Sequence, residues 1–206
     1  MRLGILVSGR GSNLEAVLDA IASGQLPAVE AVIVVANRPG IRALEVAARR
    51  GVPWRLLAVD DFADADARDA AIGQALEEAG CDVALLAGYD QLLRLPYFTA
   101  FSGRTINLHP SLLPRHGGRG MVGVAVHAAV LAAGDAETGV TIHDVTPELD
   151  AGPPIEQVRL AVTDGESAAE LADRVLELEH RVLVEVLARL SASMSAAPPA
   201  PIRARQ

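Results

Sequence analysis

The chain has 206 residues, 50% of them hydrophobic and 21% charged, which predicts a folded protein with a substantial aliphatic core. Its net charge of −8 at pH 7 argues against nucleic acid or an anionic membrane surface as a partner. Cys81 is the single cysteine, so an internal disulfide is excluded. No signal peptide and no apolar run of membrane-span length is recognisable, and we expect a cytoplasmic protein.

Apolar runs of strand length alternate with helical patterns along the first half of the chain. Strands are expected at residues 3–7, 29–36, 54–59, 83–87 and 105–108. Helices are expected between them at residues 14–22, 41–50 and 64–79, with a short helical segment at 91–95 that ends before Pro96. This alternation predicts a single α/β domain with a mostly parallel, twisted sheet and helices on both faces.

The second half of the chain predicts a different edge of the sheet. A helix at residues 124–133 is followed by strands at 138–145 and 155–161, which we expect to pair antiparallel. Ser167 and Glu170 form a capping box that opens the longest helix, to about Leu190. Residues 1–190 are therefore predicted to form the domain, and the Ala/Pro/Ser-rich residues 191–206 a flexible tail.

The segment I-N-L-H-P-S-L-L-P, residues 106–114, is the strongest candidate for chemistry. Strand alternation places Asn107 and His109 on one face, and Pro110 ends the strand. An amide and an imidazole at the end of a strand can polarise a carbonyl and move a proton near pH 7. A buried strand with a satisfied Asn and a capping His is the alternative, and spacing alone does not decide between them.

The turn S-G-R-G-S-N-L, residues 8–14, joins the first strand to the first helix. Free backbone N–H groups and the helix dipole at this place suit a phosphate. The turn has no Gly-Lys-Ser/Thr of a Walker loop, and Leu14 stands where a dinucleotide-binding motif has its third glycine. A tight turn without a ligand is the alternative.

The segment N-x-H-P-S-L-L-P resembles the active-site signature of folate-dependent formyltransferases, and S-G-x-G-S-N-L resembles the start of the phosphoribosylglycinamide formyltransferases. The resemblance implies a Rossmann-like formyltransferase fold with Asn107, His109 and Asp150 as catalytic residues. It also implies transfer of the formyl group of 10-formyltetrahydrofolate to the amine of 5′-phosphoribosylglycinamide, in purine biosynthesis. Without the resemblance, the sequence favours Asp150, before Ala-Gly-Pro, as a turn former.

The resemblance further implies two binding regions for small-molecule substrates. The ribonucleotide would be held by Gly11, Ser12, Asn13 and Glu179, although Glu179 on a solvated helix face is the alternative. The folate-contacting residues would be Asp90, Gln91, Leu92, Leu93, Asn107, Thr146, Pro147, Glu148, Leu149 and Asp150. Three further histidines, at 116, 127 and 143, lack metal-ligand spacing, so no metal is expected.

The sequence departs from the usual pattern of its relatives in three places. Asp90-Gln91 replaces Met-Arg in the folate-lining segment. An arginine often follows the phenylalanine matching Phe62, and here Arg68 is the nearest. Val122 replaces a tyrosine in the glycine-rich loop, which we expect to be mobile or bent around a ligand.

Three other functions share some of these features. A formyltetrahydrofolate deformylase-like hydrolase uses the same Asn-His-Asp set with water as acceptor. A methionyl-tRNA formyltransferase needs a further RNA-binding domain, for which the chain has no room. A non-catalytic nucleotide-phosphate binding module needs no such trio, so Asn107, His109 and Asp150 together favour an enzyme. Monomer and homodimer both remain open.

Overall fold

Seven strands form one sheet in the order β3-β2-β1-β4-β5-β6-β7. The computed structural model describes residues 1–196. The strands are β1 Arg2–Val7, β2 Glu30–Ala36, β3 Trp54–Leu56, β4 Val83–Leu86, β5 Arg104–His109, β6 Glu137–Asp144 and β7 Pro154–Ala161. The helices are α1 Ser12–Ala22, α2 Arg42–Arg49, α3 Ala65–Glu78, α4 Leu95–Ala100, α5 Val124–Ala132 and α6 Ala168–Ala196. Strands β1 to β5 pair in parallel, and β6 and β7 pair antiparallel at one edge. The predicted fold class is confirmed.

Helices cover both faces of the sheet, as the alternating pattern predicted. One core cluster joins α1, α2, α5 and α6 to side chains such as Ile5, Leu85 and Ile106. The other joins α3 and α4 to side chains such as Leu6 and Leu86 on the opposite face. Each fully buried side chain of this size contributes about 1.5–3 kcal/mol, so β1 and β4, apolar on both sides, hold the centre of the fold.

Three elements depart clearly from their predicted bounds. The strand predicted at residues 54–59 ends at Leu56, because it pairs with β2 over only three residues, and a 3-10 helix follows at Val59–Asp61. The helical segment predicted at residues 91–95 is wrong: α4 begins at Leu95 with Pro96 in its first turn. Proline fits there because the N–H groups of the first turn have no partner within the helix. At the other end, α6 passes the predicted end at Leu190 and continues to Ala196. Ser191 is buried on this extension, and the rest of the predicted tail, residues 197–206, lies outside the described residues.

The predicted capping box is confirmed at the start of α6. The Ser167 backbone N–H donates to Glu170 Oε2 at 2.8 Å, and the Glu170 N–H donates to Ser167 Oγ at 3.3 Å. These two bonds satisfy donors that the first turn of a helix leaves free. They fix where the long helix begins and which of its sides faces the sheet.

The strand order places a crevice at the carboxyl ends of the central strands β1 and β4. β1 lies between β2 and β4, so the connections from β1 and from β3 leave on opposite faces. In open α/β sheets, ligands bind outside the carboxyl ends of the strands at this reversal of order. The turn after β1 and the segment after β4, both singled out in the sequence, meet at this point.

Candidate active site

Asn107 and His109 lie on one face of β5, near its carboxyl end. Their neighbours Ile106 and Leu108 are buried in the core cluster on the other face. In the antiparallel pairing of β5 with β6, Asn107 is opposite His143 and His109 is opposite Thr141. Because opposite residues in a ladder point to the same face, these four side chains form one polar patch.

Asp150 reaches this patch from the loop between β6 and β7. Its backbone has φ 52°, and Asp is one of the few residues that tolerate this region. The loop closes tightly at Gly152, where an added Cβ would lie 1.7 Å from the carbonyl oxygen of Asp144. Asp150 Oδ2 accepts a hydrogen bond from the Gly118 N–H at 2.8 Å and lies 3.9 Å from His109 Nδ1. The structure thus brings the three predicted catalytic residues together.

His143 is part of this site, and the sequence reasoning missed it. Its Nδ1 lies 2.9 Å from the carbonyl oxygen of Asp144, which can only accept, so Nδ1 carries a proton. Burial lowers the pKa of His143, so the ring is neutral and Nε2 is an acceptor. Asn107 Nδ2 donates to this Nε2 at 3.1 Å. Finding His143 would have required the β5–β6 register, which is not readable from the sequence.

The orientation of His109 is set from the other side of its ring. His109 Nε2 lies 2.9 Å from the backbone carbonyl oxygen of His116, so this nitrogen donates a hydrogen bond. Nδ1 is left facing Asp150 across 3.9 Å, longer than a hydrogen bond. A ligand oxygen close to the Asn107 amide and His109 Nδ1 would meet the N–H of Asn107, and a second donor when Nδ1 also carries a proton, which suits a developing oxyanion.

The first turn forms a second part of the crevice. Gly11 is the N-cap of α1 at φ 75°, and an added Cβ would lie 2.8 Å from the Cβ of Ala43. Only glycine meets both conditions without strain. Ser12 and Asn13 begin the helix, so its free N–H groups point out of this turn.

Glu179 joins this turn to α6. Asn13 Nδ2 donates to Glu179 Oε2 at 2.9 Å. The carboxyl group is only 8% exposed, so the alternative of a solvated helix face is wrong. Burial raises the pKa of Glu179 to about 7, although the hydrogen bond from Asn13 opposes the shift. Within residues 1–196, Asn13 Oδ1 is buried without a hydrogen-bond partner and is therefore free to accept one from a ligand.

Asp90 lies beside the turn after β1. Its backbone N–H donates to Ser8 Oγ at 3.0 Å, and its carboxylate accepts from Asn37 Nδ2 at 2.9 Å and forms an ion pair with Arg38. Partial burial raises the pKa of Asp90, but hydrogen bonds from Asn37 and Gln91 outweigh it, and the net pKa is below the ordinary value. The acid that departs from the family pattern is thus a link between the ends of β1, β2 and β4.

Gln91 and Leu92, two of the next three predicted folate contacts, are hydrogen-bonded to the buried Arg68. Arg68 Nη1 donates to Gln91 Oε1 at 3.2 Å and Arg68 Nη2 to the Leu92 carbonyl at 3.3 Å, while Arg68 also pairs with Asp69. The Leu92 side chain is exposed. The Leu93 side chain is 1% exposed and packs in the core, so any contact of Leu93 with a ligand is limited to its backbone.

The remaining predicted folate contacts precede Asp150 in the same loop. Thr146 Oγ1 donates to the Glu148 carbonyl at 3.1 Å, which shapes the turn. Pro147, Glu148 and Leu149 are exposed. These side chains form a rim next to the Asp150 carboxylate, and Leu149 adds exposed apolar surface to it.

The part of the chain that the structure describes offers no helix long and apolar enough to cross a bilayer. Across the same 196 residues, no group of three or more His, Cys, Asp or Glu side chains is arranged to hold a metal ion.

Known proteins are similar to this chain in sequence and in the arrangement of their strands. Residues 1–187 match the family model described as formyl transferase. The phosphoribosylglycinamide formyltransferase of Escherichia coli (strain K12) is 34% identical over 183 residues, 88% of this chain and 83% of that protein. The glycinamide ribonucleotide transformylase 1 of Symbiobacterium toebii superposes with a TM-score of 0.87 at 35% identity, covering 94% of this chain and 88% of that one.

A longer relative contains the same region. The trifunctional purine biosynthetic protein adenosine-3 of Drosophila pseudoobscura pseudoobscura is 35% identical over 191 residues, 92% of this chain. That match spans only 14% of the length of the trifunctional protein. The similarity therefore concerns one region of that relative, whereas it covers most of the Escherichia coli protein.

Proposed function

The chain belongs to the phosphoribosylglycinamide formyltransferase family of formyl transferases, and we propose that it transfers the formyl group of 10-formyltetrahydrofolate to the amine of 5′-phosphoribosylglycinamide in purine biosynthesis. The observation that carries the proposal is the meeting of Asn107, His109 and Asp150 in one polar patch. These side chains come from two separate segments of the chain, and a binding module has no need of such an arrangement.

Asn107 and His109 stabilise the charge that develops on the formyl oxygen. Asn107 Nδ2 keeps one N–H for the site after donating the other to His143, and protonated His109 offers a second donor at Nδ1. A single preorganised donor of this kind is worth about 3 kcal/mol of transition-state stabilisation. Asp150 lies beside His109, with its Oδ2 3.9 Å from Nδ1.

The transfer requires one bond to form, one to break and one proton to move. The amine nitrogen bonds to the formyl carbon, and the bond from that carbon to the folate nitrogen then breaks. The amine loses a proton and the departing folate nitrogen gains one, so the products are the formylated ribonucleotide and tetrahydrofolate. Asp150 and His109 lie together where this proton must travel.

Two features support the assignment of the substrates to their sides. The free N–H groups at the start of α1 suit the phosphate of a ribonucleotide. The Asn13–Glu179 pair behind that turn offers an acceptor and a carboxylate to the amine. On the other side of the patch, the loop with Leu92 and the loop with Leu149 offer exposed apolar surface to the folate.

We also place the protein in the cytoplasm, since its only cysteine, Cys81, is buried and unpaired.

The proposed function is tested by following tetrahydrofolate formation from 10-formyltetrahydrofolate with and without the ribonucleotide. We expect product only when the ribonucleotide is present. Equal release without the ribonucleotide would identify a hydrolase instead.

A further inference from the structure

We propose that His116 and Asp135 are positioning residues for His109, an inference that rests on the proposed formyl transfer. The His116 carbonyl accepts the hydrogen bond from His109 Nε2 at 2.9 Å. The side chain of the same residue is bound elsewhere, because His116 Nε2 lies 2.7 Å from Asp135 Oδ2. The pair therefore fixes the peptide group that orients the catalytic ring.

The backbone at His116 needs such an anchor. Its φ is 53°, in the left-handed region that non-glycine residues seldom adopt. The residue is followed by Gly117 and Gly118, and besides the bond from His109 its carbonyl accepts a longer hydrogen bond from Ser111 Oγ, at 3.4 Å. The His116 side chain is bound to Asp135 and its carbonyl to His109. Together these two bonds fix the position and the orientation of the peptide group.

Further hydrogen bonds hold the preceding part of the loop. Ser111 Oγ donates to the Arg115 carbonyl at 2.7 Å. Thr141 Oγ1 donates to the Ser111 carbonyl at 2.6 Å and accepts from the Leu113 N–H at 3.0 Å. Since Thr141 is opposite His109 in the β5–β6 ladder, this side of the loop is fastened to the strands themselves. The His116–Asp135 bond supplies the fastening at the other side.

The pair acts through the loop and not on the substrate. His116 and Asp135 line a cleft of about 500 Å³ behind the loop, with Arg115, Glu137 and Arg159 among its other walls. The lining of this cleft includes neither Asn107 nor Asp150. The hydrogen bond from His116 also lowers the pKa of Asp135, so its carboxylate stays ionised as an acceptor.

The positioning matters because it decides which nitrogen of His109 faces Asp150. With Nε2–H bound to the His116 carbonyl, Nδ1 is the nitrogen on the side of Asp150. If the carbonyl moved, the ring could rotate or take the other tautomer. A misplacement of about 1 Å in a catalytic group costs up to roughly 10²-fold in rate.

Substitutions can separate this role from a merely structural one. His116→Gly removes the side chain but keeps a residue suited to positive φ, and Asp135→Ala removes the acceptor. We expect each to lower kcat about 10-fold with KM changed less than about 2-fold, and to shift the pH profile of kcat. Asp135→Asn keeps an oxygen that can accept from His116 Nε2, so we expect it to retain most of the activity.

The double variant and a matched control sharpen the comparison. Asp135 also forms an ion pair with Arg115, so Asp135→Ala removes more than the bond to His116. His116→Gly should nevertheless add little to the loss in Asp135→Ala, because the bond that the two residues share is already gone. Arg159→Gln breaks an exposed ion pair with Glu137 in the same cleft and should leave kcat unchanged. Additive losses in the double variant, or unchanged kcat and pH profile in the single variants, would overturn the proposal.

A spectroscopic measurement on the unmodified protein does not depend on any variant folding or on the identity of the substrates. The ¹⁵N chemical shifts of the His109 ring distinguish its two neutral tautomers. We expect a proton on Nε2 in the wild type. The same measurement on Asp135→Ala is a second, separate test, in which we expect a mixture of tautomers. A proton fixed on Nδ1 in the wild type contradicts the proposal, whatever reaction the protein catalyses.

Discussion

Asn107 donates to His143 across the β5–β6 ladder, with 3.1 Å between Nδ2 and Nε2. This bond settles the orientation of the Asn107 amide, because neutral His143 presents an acceptor and so must face the NH₂ group. The second N–H of Asn107 is then directed to the space beside Asp150. Through this bond, His143 determines that Asn107 presents an N–H donor to the site.

Replacing His143 should therefore weaken catalysis indirectly. His143→Phe keeps the size of the ring but removes the acceptor, so the Asn107 amide is free to turn. We expect kcat to fall about 10-fold while KM for the ribonucleotide changes little, since one of two oxyanion donors is lost only part of the time. Steady-state kinetics measure this, and an unchanged kcat would mean that Asn107 is oriented by other contacts.

Direct changes to the catalytic groups should cost more. His109→Ala removes a donor and the proton carrier, and Asp150→Asn removes the charge beside His109. Each is expected to lower turnover by roughly 10²-fold or more. Equilibrium binding of the ribonucleotide to both variants is the control, because its proposed site at residues 11–13 is built from other elements. Near-normal turnover in both variants would refute the assigned roles.

Glu179 should make the free energy of unfolding fall as the pH rises, the opposite of what an ion-paired carboxylate does. Its pKa rises from 4.5 to about 7 on folding, so the native state holds a proton that the unfolded chain releases between these values. Stability is then unaffected below about pH 4.5 and falls as the pH rises, until the loss is complete above about pH 7. At about 1.4 kcal/mol per pKa unit, the total is about 3 kcal/mol.

Glu179→Gln tests this, because the glutamine oxygen can still accept from Asn13. The variant should be more stable than the wild type by up to about 3 kcal/mol at pH 8, and the difference should vanish near pH 4.5. Urea unfolding at the two pH values measures it. Glu177→Gln, at an exposed position of the same helix, is the matched control and should show no such trend. A stability difference for Glu179→Gln that is independent of pH would show that folding does not shift the pKa of Glu179.

Asp90 should matter for one substrate only. Asp90→Ala removes the carboxylate that holds Asn37 and Arg38, which frees the segment carrying Gln91 and Leu92. We expect KM for the folate substrate to rise about 3-fold to 10-fold, equivalent to about 1 kcal/mol of lost hydrogen bonding, with KM for the ribonucleotide unchanged. Equal rises in both Michaelis constants would place Asp90 outside the folate side of the site.

The elements that sequence predicted well are those set by local pattern. Apolar runs and glycine stops located the strands, and the Ser167–Glu170 spacing located the start of α6. The family and the fold class were likewise predicted and are confirmed. Assignments of individual residues to the two substrates remain predictions.

The features that sequence could not supply depend on contacts between distant segments. His143 enters the site because of the strand register, and the Asp90 carboxylate is held by residues more than fifty positions away. Leu93 was predicted to contact folate, but its side chain fills the core because the chain turns inward before α4. The helix predicted to end before Pro96 is absent, because Pro96 lies in the first turn of α4, which begins at Leu95.

Transfer of a labelled formyl group tests the central claim most directly. Purified protein is incubated with 10-formyltetrahydrofolate carrying ¹³C in its formyl group and with the ribonucleotide, and the products are read by mass spectrometry and NMR. We predict ¹³C in an amide on the former amine of the ribonucleotide, in equal amount to the tetrahydrofolate formed, and loss of this signal in His109→Ala. Recovery of the ¹³C as formate, with the ribonucleotide unlabelled, would contradict the account.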